Sequence, residues 1–462
     1  MPEPNWGNST PWPHQVECVD WLMRKRAGVI GFRMGGGKTY TSIVSLSGWG
    51  CKRILVLSPK SVVGVWRREF AKHCSEPHVV ECLNGPVAKM AMQLQEFKKR
   101  LDPSLVSIVV VNYESAWRLP LAVALHEFKF DALVCDESHR IKSPTGRTSK
   151  YVAKLAGNVP YRHCLTGTFM PHSPLDAFAQ MRVIEPRVFG WKYTAFRERY
   201  AVTHPQYKSH ILKWINQDEL KDKLADWVRY VDTRDVLELP ELVNSTREFE
   251  LGPKSRKAYR ELETELVTLI DSEEITADNA LVKLLRLQQI TSGSMMVDDR
   301  QVDFGTEKAD ALNDILEDIA KDEPVVVYCR FRNDIKEVAR IAKLHGRRFG
   351  QVSGERKDLT QYATMPEDID ILAVQQAAGG LGIDLTRSSI GIWYSLSLSL
   401  GDFDQSIARQ HRPGQVNRVR MIHLVAKGTI DEAIYLALDR KRAVVESVMD
   451  ALKSKVFGGA SK

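Results

Sequence analysis

"VIGFRMGGGKTYTS", residues Val29 to Ser42, ends in Gly37-Lys38-Thr39 behind two further glycines. This is how a phosphate-binding loop of the form G-x-x-x-x-G-K-[ST] ends, its backbone N–H groups turned toward a phosphate chain. That pattern asks for glycine at position 32, where the chain has Phe32. The context is nevertheless right: an apolar run, "GVIGF" (28–32), precedes the loop, and a helix-like stretch, "TYTSIVSLS", follows it. The helix N-terminus adds a favourable dipole. On this reading Gly35, Gly36 and Gly37 form the cradle, Lys38 reaches the β- and γ-phosphates, and the Thr39 hydroxyl meets a magnesium ion. A structural glycine turn fits the same letters.

A second stretch, "LVCDESH" (Leu133 to His139), is an apolar strand ending in Asp-Glu, about 100 residues after the loop. Asp136 at the strand's carboxyl end can hold magnesium through water, and Glu137 can polarise an attacking water. Short β-branched runs recur around both motifs: "RILVLS" (53–58), "SIVVVNY" (107–113) and "HCLTGT" (163–168). Each has the length of a buried strand, and helix-like stretches such as "HQVECVDWLMRK" and "VVGVWRREFAKH" lie between them. Such alternation predicts an α/β fold with parallel sheets flanked by helices.

From about Pro174 to Leu285 strand signals are few and amphipathic helices dominate. One opens at Pro253, a residue suited to a first helical turn, and carries Tyr259, Leu262, Leu266 and Leu269 on one face. Strands resume at "VVVYC" (325–329), "IDILAV" (369–374), "SIGIWYS" (389–395) and "VRMIHLVA" (419–426). Two α/β units are therefore expected: 1–245 with a helical protrusion over about 174–245, and 246–462 with a helical insertion over about 253–300.

The 462 residues exceed one ordinary core, at about 100–200 residues per domain. With 44% hydrophobic and 27% charged residues and no biased tract, the chain reads as globular. No run resembles a signal peptide or approaches the roughly 18 apolar residues of a membrane span. Seven cysteines are scattered singly without a C-x-x-C pair, which argues for a reducing, cytoplasmic setting and against a zinc site. A formal charge of +7 leans gently toward a nucleic-acid partner.

"DESHRIKSP" (136–144) and "LTGTFM" (165–170) resemble the Asp-Glu-x-His box and motif III of superfamily 2 helicases, and more narrowly the SWI/SNF-related double-stranded DNA translocases. Other landmarks fall in family order: "PHQVECVDWL" as the Q motif, "LVLSPKSVVGVWRREF" as motif Ia and "VVVNYESAW" after it. The second half supplies "VVVYCRFRNDI" as motif IV, "QVSGE", "AGGLGIDLT" as motif V and "QSIARQHRPGQ" as motif VI. The likeness spans roughly residues 11 to 440 and is most specific at motif VI.

The resemblance implies two RecA-like lobes with an ATP cleft between them, an ATP- and Mg2+-dependent hydrolase, and a motor that moves as a monomer along duplex DNA without regard to sequence. Remodelling of DNA structures in replication or recombination is the role it suggests. Gln15 would read adenine, since a side-chain amide both donates and accepts. Arg409 and Arg412, three apart and so on one helix face, would recognise the γ-phosphate, with Arg412 the finger across the cleft. Gly382 and Asp384 would line the cleft. His139, Thr166, Gly167, Thr168 and Gln405 would couple ATP to the DNA path. Lys60 and Ser61 in motif Ia, with Arg330, Ser353 and Gln376 in the second half, would touch the DNA backbone. Trp66 and Trp117 read as helix packing rather than base-stacking platforms.

The chain departs from the family in several places. The family's usual loop is D-E-M-G-L-G-K-T, so Phe32-Arg33 replace Asp-Glu. Phe169 replaces a proline, and Gln375-Gln376 stand where Ser-Thr is common. "YSLSLSLGDFDQS" lacks the Trp-Asn-Pro of chromatin remodellers and looks like the short forms of bacteriophages, which would place the protein in a host cytoplasm. A strand-separating DNA or RNA helicase remains an alternative. So does an inactive nucleotide-sensing DNA-binding scaffold, although every catalytic group it would have to lack is present.

Overall fold

A computed structural model describes residues 4–7, 10–33, 35–170, 173–205, 211–232, 239–271, 277–297, 300–361, 363–376, 383–397 and 399–438. The chain forms two compact units, Met1–Glu238 and Leu239–Arg442.

In the first unit the apolar runs become β1 (Ala27–Phe32), β2 (Arg53–Ser58), β3 (His78–Cys82), β4 (Val106–Asn112), β5 (Ala132–Asp136) and β6 (Tyr161–Leu165). A hairpin of β7 (Ala201–Thr203) and β8 (Ile211–Trp214) stands apart, and β9 (Val228–Val231) completes the sheet. Its order is β3-β4-β2-β5-β6-β1-β9, parallel throughout. A parallel sheet is covered on both faces, so its strands are apolar without alternation. In β2, Leu55 and Leu57 enter one core while Ile54 and Val56 enter the other. Helices Pro13–Lys25, Lys38–Gly48 and Val63–His73 cover the second of these faces. Gly28 lets the first of them lie close, because a Cβ there would sit 2.3 Å from the Trp21 ring.

In the second unit the strands are β10 (Leu242–Phe249), the hairpin β11 (Ser294–Val297) and β12 (Arg300–Asp303), β13 (Val325–Cys329), β14 (Phe349–Val352), β15 (Ile371–Gln375), β16 (Ile390–Trp393) and β17 (Val419–Ala426). The main sheet runs β10-β17-β16-β13-β15-β14, again all parallel. Helices Glu307–Glu317 and Arg332–Leu344 bury Leu312, Leu316, Val338 and Ile341 against it. Two parallel sheets flanked by helices are the α/β, RecA-like pair that was expected.

The strand-poor block expected between Pro174 and Leu285 needs correction. Its helices are there, at Ala177–Ile184, Tyr193–Tyr200 and Gln217–Ala225, but so are β7 to β10. β9 is only four residues long, and β10 is an edge strand with Asn244 to Glu248 exposed, so neither makes a long apolar run. β10 straddles position 245 and belongs whole to the second sheet. The helix opening at Pro253 runs to Asp271 and buries Tyr259, with Leu262 packed beside it. The side chains of Leu266 and Leu269 lie outside the described set. Among the described residues, no helix is long and apolar enough to cross a membrane.

Sheet order places the chemistry of the first unit. β5, β6 and β1 are neighbours, with Asp136 level with Leu165 and Leu165 level with Ile30. The box after Asp136, motif III after Leu165 and the glycine loop after β1 therefore leave one sheet edge side by side, at the carboxyl ends where ligands of open α/β sheets bind.

Candidate active site

The glycine loop turns on residues that can take left-handed backbone angles, Gly35 at φ 85° and Gly37 at φ 77°. Gly36 N–H donates to the Arg33 carbonyl at 3.0 Å, closing the turn, and helix Lys38–Gly48 starts at once with Gly37 as its N-cap. No side chain caps that helix, and the dipole of its N-terminus favours an anion. Lys38 Nζ donates to the Phe32 carbonyl at 2.9 Å. Thr39 sits half-buried in the first turn. Gln15 is buried with its amide against the loop: Oε1 accepts from Trp12 N–H at 2.8 Å, and Nε2 points to the Gly36 carbonyl at 3.5 Å. His14, which sequence reasoning passed over, meets the same carbonyl through Nε2 at 3.0 Å.

At the end of β5, Asp136 Oδ2 accepts from the Trp66 indole N–H at 2.9 Å, and Tyr113 OH donates to the Asp136 carbonyl at 2.7 Å. Trp66 is packing, as read, but it also orients this carboxylate. Burial first, then the Glu137 charge, pushes the Asp136 carboxyl up to about 7, against the pull of Trp66 and Lys38. Burial also raises Glu137, yet its hydrogen bond to His139, with Lys38 and Arg140 nearby, holds it below the ordinary carboxylate range. Glu137 is therefore ionised at neutral pH. It adopts a left-handed backbone (φ 49°), uncommon for a residue with a side chain, at the turn out of β5.

His139 Nδ1 lies 3.3 Å from Glu137 Oε2 and 3.4 Å from Thr166 Oγ1, and Thr166 Oγ1 accepts from Thr168 N–H at 3.0 Å. A chain of contacts thus runs from the carboxylate into motif III across Gly167. Gln180 adds a second link: its Oε1 accepts from Ser138 Oγ at 2.7 Å, and its Nε2 donates to the Phe169 carbonyl at 2.6 Å. Gln180 is fully buried on a later helix, and no local pattern marks it.

In the second unit, helix Leu400–Gln410 carries Gln405 and the buried Arg409, whose Nε donates to the Gln405 carbonyl at 3.3 Å. The expected shared helix face for Arg409 and Arg412 is corrected here. The helix ends at Gln410, and Arg412 lies beyond it in the following turn, with Nη1 3.8 Å from Asp384 Oδ2. Asp384 also accepts from Thr386 N–H at 2.9 Å and Thr386 Oγ1 at 2.7 Å. Gln415 binds motif VI to motif V, its Nε2 donating to the Thr386 and Ser388 carbonyls at 3.0 and 3.1 Å. Gly382 lies outside the described residues.

The residues assigned to DNA are dispersed. Lys60 is exposed in a short 3-10 turn after β2, and the Ser61 side chain lies outside the described set. Arg330 is half-buried, its guanidinium bonded to Gln288 Oε1 and 3.4 Å from the Leu396 carbonyl, and burial lowers its pKa. Ser353 is buried and accepts from the N–H groups of Glu355 and Arg356 at 3.2 and 3.3 Å, closing a tight turn. Gln376 is buried and donates to the Ser395 carbonyl. Trp117 is half-buried, with the guanidiniums of Arg118 and Arg147 at 5.5 and 5.6 Å from its ring centre.

A glycine loop feeding a helix N-terminus, with an Asp-Glu pair two strands away on a parallel sheet, defines a P-loop nucleoside-triphosphate hydrolase. Residues 14–296 match the SNF2-related domain and residues 307–414 the helicase conserved C-terminal domain, so the chain belongs to the SNF2-related family and is an ATPase of helicase type. It is 27% identical to "Putative protein p41" of Acyrthosiphon pisum secondary endosymbiont phage 1, over 96% of this chain and 99% of that one. To an "Uncharacterized ATP-dependent helicase" of Mycoplasma genitalium it is 25% identical, over 94% of this chain and 42% of the relative. To "Chromodomain-helicase-DNA-binding protein 1-like" of Danio rerio it is also 25% identical, over 95% and 44%. The chain spans nearly all of the phage relative and less than half of the other two.

Proposed function

We propose that this ATPase is a translocase that turns ATP hydrolysis into movement along duplex DNA and remodels DNA structures in replication or recombination. The observation that carries the reading is the run of contacts Glu137–His139–Thr166–Thr168, which ties the carboxylate suited to polarise water to the motif that faces the DNA path in the family. Lys38 and the Gly35–Gly37 turn bind the phosphates, and ionised Glu137 accepts from the attacking water. Gln15, held against the loop, reads the adenine, and Asp384 is the second unit's cleft residue. In the second unit, Arg409 and Arg412 are the arginines for the γ-phosphate, and Gln405 supports Arg409. The motion of these groups between ATP and ADP states is what His139, Thr166, Gly167 and Thr168 pass on.

Magnesium fits the residues present. Asp136 is a carboxylate raised by burial and by its neighbour's charge, which is the electrostatic environment that a divalent cation relieves. Thr39 and Asp136 would hold it, and it would neutralise charge on the β- and γ-phosphates. For DNA, support comes from the excess of positive charge, from exposed Lys60 just past the carboxyl end of β2, and from a relative whose name says that it binds DNA. Arg330, Ser353 and Gln376 are engaged within the second unit and lend no such support. Contacts to phosphates alone give sequence-independent binding. The phage relative points to a host cytoplasm as the setting.

Lys38→Ala tests the reading. It should abolish DNA-stimulated ATP hydrolysis while leaving the circular dichroism spectrum unchanged, and normal turnover in that variant would refute the assignment.

A further inference from the structure

Arg33 stands where the family carries an acidic residue, immediately before the glycine turn, and would add positive charge beside the triphosphate if it pointed there. It is instead bound at three points. Its N–H donates to the Val231 carbonyl at 2.9 Å and its carbonyl accepts from Gly36 N–H at 3.0 Å. Its guanidinium turns to the end of β9, with Nε donating to Tyr230 OH at 2.9 Å and lying 3.3 Å from Asp232 Oδ2. The Asp232 side chain is only 2% exposed, so the pair is an ion pair anchored in the protein. Phe32 completes the stem. Its ring is fully buried in the core cluster that also holds Trp21 and Val231, and its carbonyl is the acceptor for Lys38 Nζ.

We propose that Arg33 is a positioning residue for the phosphates of ATP. Through Asp232 and Tyr230 it fixes both the Phe32 carbonyl that steers Lys38 and the Gly36 turn that presents backbone N–H groups. The pair Phe32-Arg33 is then a coherent replacement for the family's Asp-Glu: an apolar anchor in the core and a basic anchor on β9. This proposal rests on the loop being the ATP site. A loop held in shape contributes to ground state and transition state alike, so loosening it raises KM more than it lowers kcat. An ion pair that served stability alone would act on folding and leave KM where it is.

The test uses the full chain with Arg33→Ala, the paired replacement Arg33→Met with Asp232→Leu, and Tyr230→Phe. Melting temperature, kcat, KM for ATP and the Kd of a fluorescent ATP analogue are measured for each. Arg33→Ala takes a cation away from the buried Asp232 carboxylate and should melt lower, whereas the paired replacement removes both charges and should recover much of that loss. Both should raise KM and Kd about tenfold with a smaller change in kcat, and Tyr230→Phe should raise them about threefold. Wild-type KM and Kd in the paired replacement would overturn the proposal. Should that variant not fold, wild-type values in Tyr230→Phe would do so. Lys38→Ala run alongside separates the two claims, because normal turnover there removes the ATP site itself whatever Arg33 does.

Discussion

Two adjacent carboxylates with opposite displacements give the site its division of labour. In the proposed function Glu137, held down by His139, would be the ionised acceptor for water, and Asp136, raised and oriented by Trp66, the metal-ligand side. Trp66→Phe keeps most of the buried ring and deletes one hydrogen bond to Asp136. We expect kcat/KM for ATP to fall about tenfold, which is what one hydrogen bond to a charged group is worth, with the melting temperature nearly unchanged. Steady-state kinetics with an unchanged kcat/KM would return Trp66 to packing alone. Sequence made Lys38, Asp136, Glu137 and His139 legible because each sits in a short local pattern. It could not show Arg33's role, since Tyr230 lies 197 positions away and nothing near Arg33 announces the contact. The same holds for Gln180, whose hydrogen bonds with Ser138 and the Phe169 carbonyl exist only once β5 and β6 are adjacent.

Elements are held in the second unit by buried polar bonds as much as by apolar packing. Helix Leu400–Gln410 hangs from Tyr328 on β13, whose OH lies within hydrogen-bond distance of the Ser406 carbonyl (2.8 Å) and Gln410 Oε1 (2.9 Å). The residues after β17 are tied to helix Glu307–Glu317 by Lys308 and Asp431, 2.8 Å apart with side chains 1% and 5% exposed. Thr291 Oγ1 donates to the other Asp431 oxygen at 3.0 Å. Asp431→Ala strands a buried ammonium, and the expected loss is about 3–5 kcal/mol in the second unit's urea transition. A loss under 1 kcal/mol would show that Lys308 finds water or another partner. Central strands such as β2, β4 and β13 were legible as unbroken apolar runs, because a parallel strand buried on both faces admits little else. The edge strands β3, β10 and β14 were not, since an edge strand shares its residues with solvent and its run is short or polar.

For the whole molecule, the parallel order of both sheets follows from alternating strand and helix, and the family match over residues 14–296 and 307–414 agrees with it. A duplex motor and a strand-separating helicase can be built on these same units, and they differ in which nucleic acid accelerates turnover. A scaffold that only senses nucleotide would show no acceleration. Contacts to phosphates release counterions, so the DNA concentration for half-maximal activity should rise steeply with salt, roughly as a power of its concentration. The most direct measurement is the ATPase rate of the intact chain against single-stranded, duplex, forked and four-way-junction DNA and against RNA, with Lys38→Ala as the blank. Strong stimulation by DNA containing duplex, little by single strands or RNA, and none in Lys38→Ala is the result expected; an ATPase rate that no DNA changes would contradict the account.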